Sequence, residues 1–178
     1  MELTAPQLLL QLWPVVLRIG RLVQQFRTQP VSPSATFHFE SELQRLLSEV
    51  GRRIVQWTFS NIEPTDRNRL PPHVFWHNDH YRLKRVSPSR NWNCLFGKIR
   101  VRRWLYESTE GLGLPALFPL ELDLGVVAGV ATPALADRVA PLAVEFSQRQ
   151  VLSVLREEHH VCWKSPRCGR SRGRWPRP

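Results

Sequence analysis

No acidic residue occurs between Asp79 and Glu107, a stretch that holds eight basic ones: Arg82, Lys84, Arg85, Arg90, Lys98, Arg100, Arg102 and Arg103. The sequence also lacks any CxxC pair, and three cysteines (Cys94, Cys162, Cys168) exclude a disulfide framework and a zinc ribbon. It has no long uninterrupted apolar run. The run Leu8 to Leu17 is broken by Pro14 and followed by Arg18, and no basic segment precedes it. That is too short for a transmembrane span and wrong for a signal peptide, so a reducing cytoplasm is expected and no membrane partner. GxSxG, HExxH and a phosphate-cradling glycine loop are all missing. Asp66, Asp79, Asp123 and Asp137 fall in separate segments, which gives a two-metal nuclease no acid cluster. His77 and His80 around Asp79, and His159-His160 with Cys162 and Cys168, match no standard metal spacing.

What is present is positive charge and helical periodicity. The net charge is +10 at pH 7, which points to an anionic partner, nucleic acid before membrane. Glu2 to Gln29 reads as a helix with apolar positions Leu8, Leu12, Ile19, Leu22, Val23 and Phe26, kinked near Pro14. It suits a packing helix or a weakly ordered N-terminal extension, with an oligomerisation or membrane-surface helix as the functional reading. A linker, PVSPS, follows, then the longest helix, Phe37 to Ile62. Its apolar positions Phe39, Leu43, Leu46, Val50, Ile54 and Trp57 step by three and four. Gly51 weakens that helix by about 1 kcal/mol relative to Ala, which points to a neighbour approaching closely.

The period changes to two at Val74. Val74 to Val86 predicts a β-hairpin around His77 to His80, Ser87 to Asn93 a basic loop, and Cys94 to Phe96 a short strand. A tight turn is expected at Gly97-Lys98, then a strand from Ile99 to Tyr106. One face of the resulting antiparallel sheet is expected to carry Lys98, Arg100, Arg102, Trp104 and Tyr106 together. Cations there would neutralise phosphates, and Trp92, Trp104 and Tyr106 would stack on bases. Leu120 to Val127 fits strand or helix, with Gly125 and Gly129 opposing a stable helix. Thr132-Pro133 then opens a helix with Leu135, Val139, Leu142 and Phe146 on one face, and Pro141 should bend it. Ser147 with Gln150 is a capping-box pattern for a second helix carrying Val151, Val154 and Leu155, with Arg149 on its polar side. Two helices joined so closely predict a helix-turn-helix-like pair.

Three runs resemble the N-terminal region of ISKra-type insertion-sequence transposases. They are FHFESELQRLLSEVGRRIVQWTF, LPPHVFWHNDHYRLKRVSPSRNWNCLFGKIRVRRWLYE and FPLELDLGVVAGVATPALADRVAPLAVEFSQRQVLSVLREEHHV, spanning Phe37 to Val161. The most diagnostic positions are Phe96 to Tyr106, Pro119 to Gly125 and Thr132 to Ala136. The resemblance implies that this region binds DNA at the element's ends. It also implies a metal-dependent ribonuclease-H-like catalytic domain downstream, so a divalent metal belongs to that domain and no cofactor to this chain. After His160 the periodicity stops in an Arg-, Pro- and Gly-rich tail, CWKSPRCGRSRGRWPRP, as expected of a frameshifted, truncated transposase.

The expected architecture is therefore α+β: a helical extension at 1–30, a long helix with a small basic sheet at 37–107, a helical pair at 115–161 and a disordered basic tail at 162–178. The expected function is weak, salt-sensitive DNA binding without enzymatic activity. The residues expected to contact DNA are Arg82, Lys84, Arg85, Arg90, Lys98, Arg100, Arg102, Arg103, Trp104 and Arg149. Self-association, pairing with a full-length transposase, or a small nucleic-acid-binding regulator are the alternatives.

Overall fold

The computed structural model describes residues 5–110 and 114–159, apart from the side chains at 85–88 and 158–159. The expected tail at 162–178 lies outside the described residues. The architecture is α+β. Two long helices, α1 (Ala5–Thr28) and α2 (Pro33–Ser60), precede a three-stranded antiparallel sheet of β1 (His73–Trp76), β2 (Asp79–Cys94) and β3 (Gly97–Ser108). Three helices follow: α3 (Pro119–Asp123), α4 (Pro133–Glu145) and α5 (Gln148–His159).

Helix α2 begins earlier than its periodicity predicts. Ser32 caps it by accepting from the Ala35 N–H at 3.2 Å, and Pro33 takes the first helical position, so the last two of the five expected linker residues are helix. Helix α1 packs along α2. Phe26 stacks on Phe39 with ring centroids 4.5 Å apart, and Arg18 pairs with Glu49 at 3.5 Å. Pro14 sits inside α1, and Arg53 of α2 donates to the nearby Gln11 carbonyl. Glu49 and Arg53 pair across one turn, as their spacing predicts. The β2–β3 turn comes closest to α2 at Gly51: a Cβ there would lie 2.5 Å from the Phe96 ring.

The sheet differs from the expected one in two ways. Strand β2 runs straight through the expected basic loop to Cys94, and the turn is Leu95-Phe96 rather than Gly97-Lys98. Gly97 opens β3 with φ +108, a conformation that favours glycine. Two register shifts in β2, between Leu83 and Arg85 and between Ser87 and Arg90, absorb the extra residues. Pro88, which has no N–H for a ladder, lies in the second. The β1–β2 turn has His77 at φ 48 and Asn78 at φ 69, both positive as a two-residue type I′ hairpin requires.

Each end of the sheet buries a different face. Near the β2–β3 turn, Trp92, Cys94, Ile99 and Val101 pack with Leu120 against Val55 and Phe59 of α2. Toward the other end, Tyr81, Leu83, Trp104 and Tyr106 pack with Leu117, Leu70 and Val74. Ile99 and Val101 have odd numbers and Trp104 and Tyr106 even ones, so the two cores lie on opposite sides of β3. The outer edge of β3 is covered as well. Gln56 accepts from the Arg100 N–H at 3.1 Å, Glu63 from the Trp104 N–H at 2.9 Å, and Tyr106 exchanges two backbone bonds with Leu117. An otherwise open edge strand is thus closed to pairing with another chain.

The segment Leu120 to Val127 resolves as a short helix ended by Gly125 at φ +62. Asn93 then ties the helical pair to the sheet: its N–H donates to Val130 O at 2.8 Å and its carbonyl accepts from Thr132 at 2.9 Å. Leu135, Val151 and Leu155 form the shared core of α4 and α5, with Val139 and Leu142 beside them. Phe146, expected on that face, is exposed, and α4 continues across Pro141 to Glu145. At the start of α5 the Gln150 side chain accepts from the Ser147 N–H at 3.0 Å and from its hydroxyl at 2.8 Å, the reach-back half of a capping box.

Candidate nucleic-acid interface

The eight cations of the acid-free stretch do not form one surface. Lys98, Arg100 and Arg102 alternate along the side of β3 opposite Ile99 and Val101. Lys98 and Arg100 are exposed and Arg102 half-buried. Asn93 and Asn91 lie opposite Lys98 and Arg100 on β2 and so share their face. The Arg100 Nε donates to Ser89 Oγ at 2.8 Å, which fixes its stem. These three cations stand in a row roughly 7 Å apart, twice the rise per strand residue.

Farther along β3 the same face closes. Trp104, expected as a stacking residue, is 5% exposed, and its Nε1–H donates to Pro64 O at 2.9 Å. Tyr106 is buried too, with its hydroxyl donating to Pro71 O at 2.9 Å. Trp92 lies fully inside the other core. None of the three presents a ring to a base. The expected basic and aromatic face is therefore basic near the turn and aromatic only where it is buried.

Arg103 is the second correction. It is 5% exposed on the opposite side of β3, where its Nη1 pairs with Glu121 of α3 and its guanidinium lies 3.7 Å from the Phe118 ring centroid. Burial, followed by repulsion from Arg90, lowers its pKa to about 10. This arginine holds α3 to the sheet and is not open to a phosphate. Arg90 is exposed near Gly129, whose missing side chain leaves room for the Arg90 and Glu121 head groups. Glu63 takes a half-buried place at the β3 edge. Desolvation raises its pKa above the usual carboxylate range despite hydrogen bonds from the Trp104 and Leu120 backbone. Its role had no signal in the sequence, because a lone Glu after a helix reads as surface.

Arg82 and Lys84 lie near the other end of the sheet. Arg82 is exposed opposite Glu107, and Lys84 pairs with Glu107 at 2.9 Å. The Arg85 side chain lies outside the described residues. Arg149 is exposed on the first turn of α5, separate in sequence and element from the row on β3. Three histidines of the hairpin make ring contacts: His80 stacks on His73 with centroids 4.7 Å apart, while His77 meets Trp76 edge-on. Among the described residues, no three His, Cys, Asp or Glu side chains gather as metal ligands would. Also among them, no helix is long and apolar enough to cross a membrane. Compared with known proteins, the chain matches no family model, no curated protein and no solved structure.

Proposed function

We propose that this chain is a DNA-binding module, corresponding to the N-terminal part of a transposase. The observation that carries the proposal is the row Lys98, Arg100 and Arg102 on an exposed sheet face, with Asn91 and Asn93 beside it. Cations so spaced can each neutralise a phosphate, while the exposed Asn91 offers a neutral donor and acceptor. The tightly joined α4 and α5, with Arg149 exposed, supply a second element that a helix-turn-helix module would use. Binding should be weak and fall steeply with salt. The test is a duplex-binding titration at several salt concentrations. Replacing Lys98, Arg100 and Arg102 together by alanine should flatten the log–log salt slope by about 3, close to one per lost phosphate contact. An unchanged slope would refute the assignment of this face.

A second reading, self-association or pairing with a longer transposase, rests on a different observation. Leu9, Leu10, Trp13, Val16 and Leu17 of α1 are between 43% and 72% exposed. No charged residue occurs from Ala5 to Leu17, so two such faces can meet without burying a charge. Sedimentation should show a concentration-dependent dimer that Trp13→Glu abolishes. A monomer at all concentrations would dismiss this reading.

A further inference from the structure

The outer face of the β1–β2 hairpin carries an aromatic column that the duplex-binding surface does not use. The register places His73 opposite Arg82 and Phe75 opposite His80, so these four side chains share one face. The other face, with Val74 and Tyr81, is packed into the core. Phe75 is 78% exposed, which is unusual for a large aromatic on a strand whose other side is buried. Its ring lies 4.7 Å from that of His80, and His80 lies parallel on His73 with an interplanar angle of 7°. The column is held in place from outside the hairpin. The Thr109 hydroxyl lies 3.1 Å from His80 Nδ1 and donates to His80 O at 3.0 Å. Both contacts are satisfied together only when Nδ1 carries the ring hydrogen, which fixes the tautomer as well as the ring plane.

Beside the column is a groove of about 340 Å³ lined by Arg67, Asn68, Leu70, Pro72, His73, Arg82 and Leu83. Arg67 reaches it from the 3-10 turn Arg67–Arg69, and Asp66 caps that turn by accepting from the Asn68 N–H at 3.0 Å. Two arginines therefore flank a groove adjoining an exposed stack of rings. Rings of this kind take the π-face of any base, and guanidinium groups take the phosphate that follows it. A base paired inside a duplex keeps both faces stacked on its neighbours and cannot use such a platform.

We infer that this hairpin face binds an unpaired stretch of DNA, with a base stacked on Phe75 and the adjoining phosphate between Arg67 and Arg82. The inference deepens the DNA-binding proposal and rests on it. It adds a second, single-strand-selective contact on the side of the sheet opposite Lys98, Arg100 and Arg102.

The test is fluorescence anisotropy with a labelled oligothymidine and, separately, a labelled duplex of equal length. Phe75→Ala should weaken oligothymidine binding by about 5- to 100-fold and leave duplex binding within about twofold. Arg82→Ala should weaken the oligothymidine complex and flatten its salt slope by about 1. Phe75 is exposed, so an unchanged thermal melt of the variant will show that the fold is intact. Wild-type binding to the duplex but not to oligothymidine, or an equal loss of both on Phe75→Ala, would overturn the inference alone. Binding to neither would overturn the DNA-binding proposal itself.

Discussion

Replacing Gly51 by alanine tests how α2 meets the sheet. On an exposed helix this change adds about 1 kcal/mol of stability, because alanine gives up less backbone entropy than glycine. At position 51 the new Cβ would stand 2.5, 2.6 and 2.8 Å from three atoms of the Phe96 ring. Carbon atoms in contact sit near 3.5–4.0 Å, so the ring must retreat by about 1 Å. Phe96 is not free to swing away at no cost. It lies in the two-residue turn between Cys94 and Gly97, where the buried Cys94 thiol donates to Gly97 O at 3.2 Å. Neighbouring Leu95 is packed on the α4–α5 core. Forcing a methyl group into such a contact costs about 1–3 kcal/mol, so the net effect of Gly51→Ala is a loss of up to about 2 kcal/mol.

The sign should reverse once the ring is removed. Phe96→Ala alone should cost about 1–2 kcal/mol, since the ring is 40% exposed and buries only part of its area. In that background Gly51→Ala meets no ring, and only the helix gain of about 1 kcal/mol is left. Urea unfolding of wild type, both single variants and the double variant completes the cycle. The expected coupling is about 1–3 kcal/mol, favourable in the double variant. If Gly51→Ala stabilises both backgrounds equally, the Phe96 ring does not rest on Gly51 and the reasoning fails.

Removing one partner of the buried Arg103–Glu121 pair should be severe. Glu121→Ala leaves the guanidinium buried without its carboxylate and should cost about 3–5 kcal/mol, whereas Arg103→Met with Glu121→Leu should recover most of that in the same urea assay. Glu63 gives a pH signature. Its folded pKa lies above the unfolded value, so its contribution is complete below the unfolded pKa and is lost as pH rises through the folded one. Lowering the pH from neutrality into that window should therefore stabilise wild type relative to Glu63→Gln, read as a rise in its melting temperature relative to the variant; a constant or opposite trend would contradict a desolvated, half-buried carboxyl.

The helices were largely legible in the sequence, and for local reasons. Three-four spacing marks α2, and the glycine inside it marks a close approach that Phe96 fills. Ser147 and Gln150 mark the start of α5 because the hydrogen bond between them needs only local geometry. Strand β2 was not legible past Val86. The run Ser87 to Asn93 is polar with a proline, and what makes it a strand is β3, whose alternation supplies a partner across two register shifts. The face occupied by the cations was legible and its burial was not. Lys98, Arg100, Arg102, Trp104 and Tyr106 do share one side of β3, as a period of two requires. Which part of that side is covered depends on the loop of Pro64, Leu70 and Pro71, distant in sequence, reaching only the far end.

A stretch without acids in sequence is also not a stretch without acids in space. Glu107 answers Lys84, Glu121 answers Arg103, and both come from beyond its end. Among the described residues, Lys84 and Arg103 are thus engaged within the protein, and the remaining charge is divided between opposite sides of one sheet. Lys98, Arg100 and Arg102 face one way near the β2–β3 turn; Arg82 faces the other near the β1–β2 hairpin. On the proposed reading, a straight duplex laid on the first row cannot reach Phe75. A DNA that touches both must therefore bend around the sheet edge or offer a separate unpaired segment. The outer edge of β3 is closed by Gln56, Glu63 and Leu117. A path between the two surfaces is thereby directed around the hairpin ends, where Phe75 stands exposed.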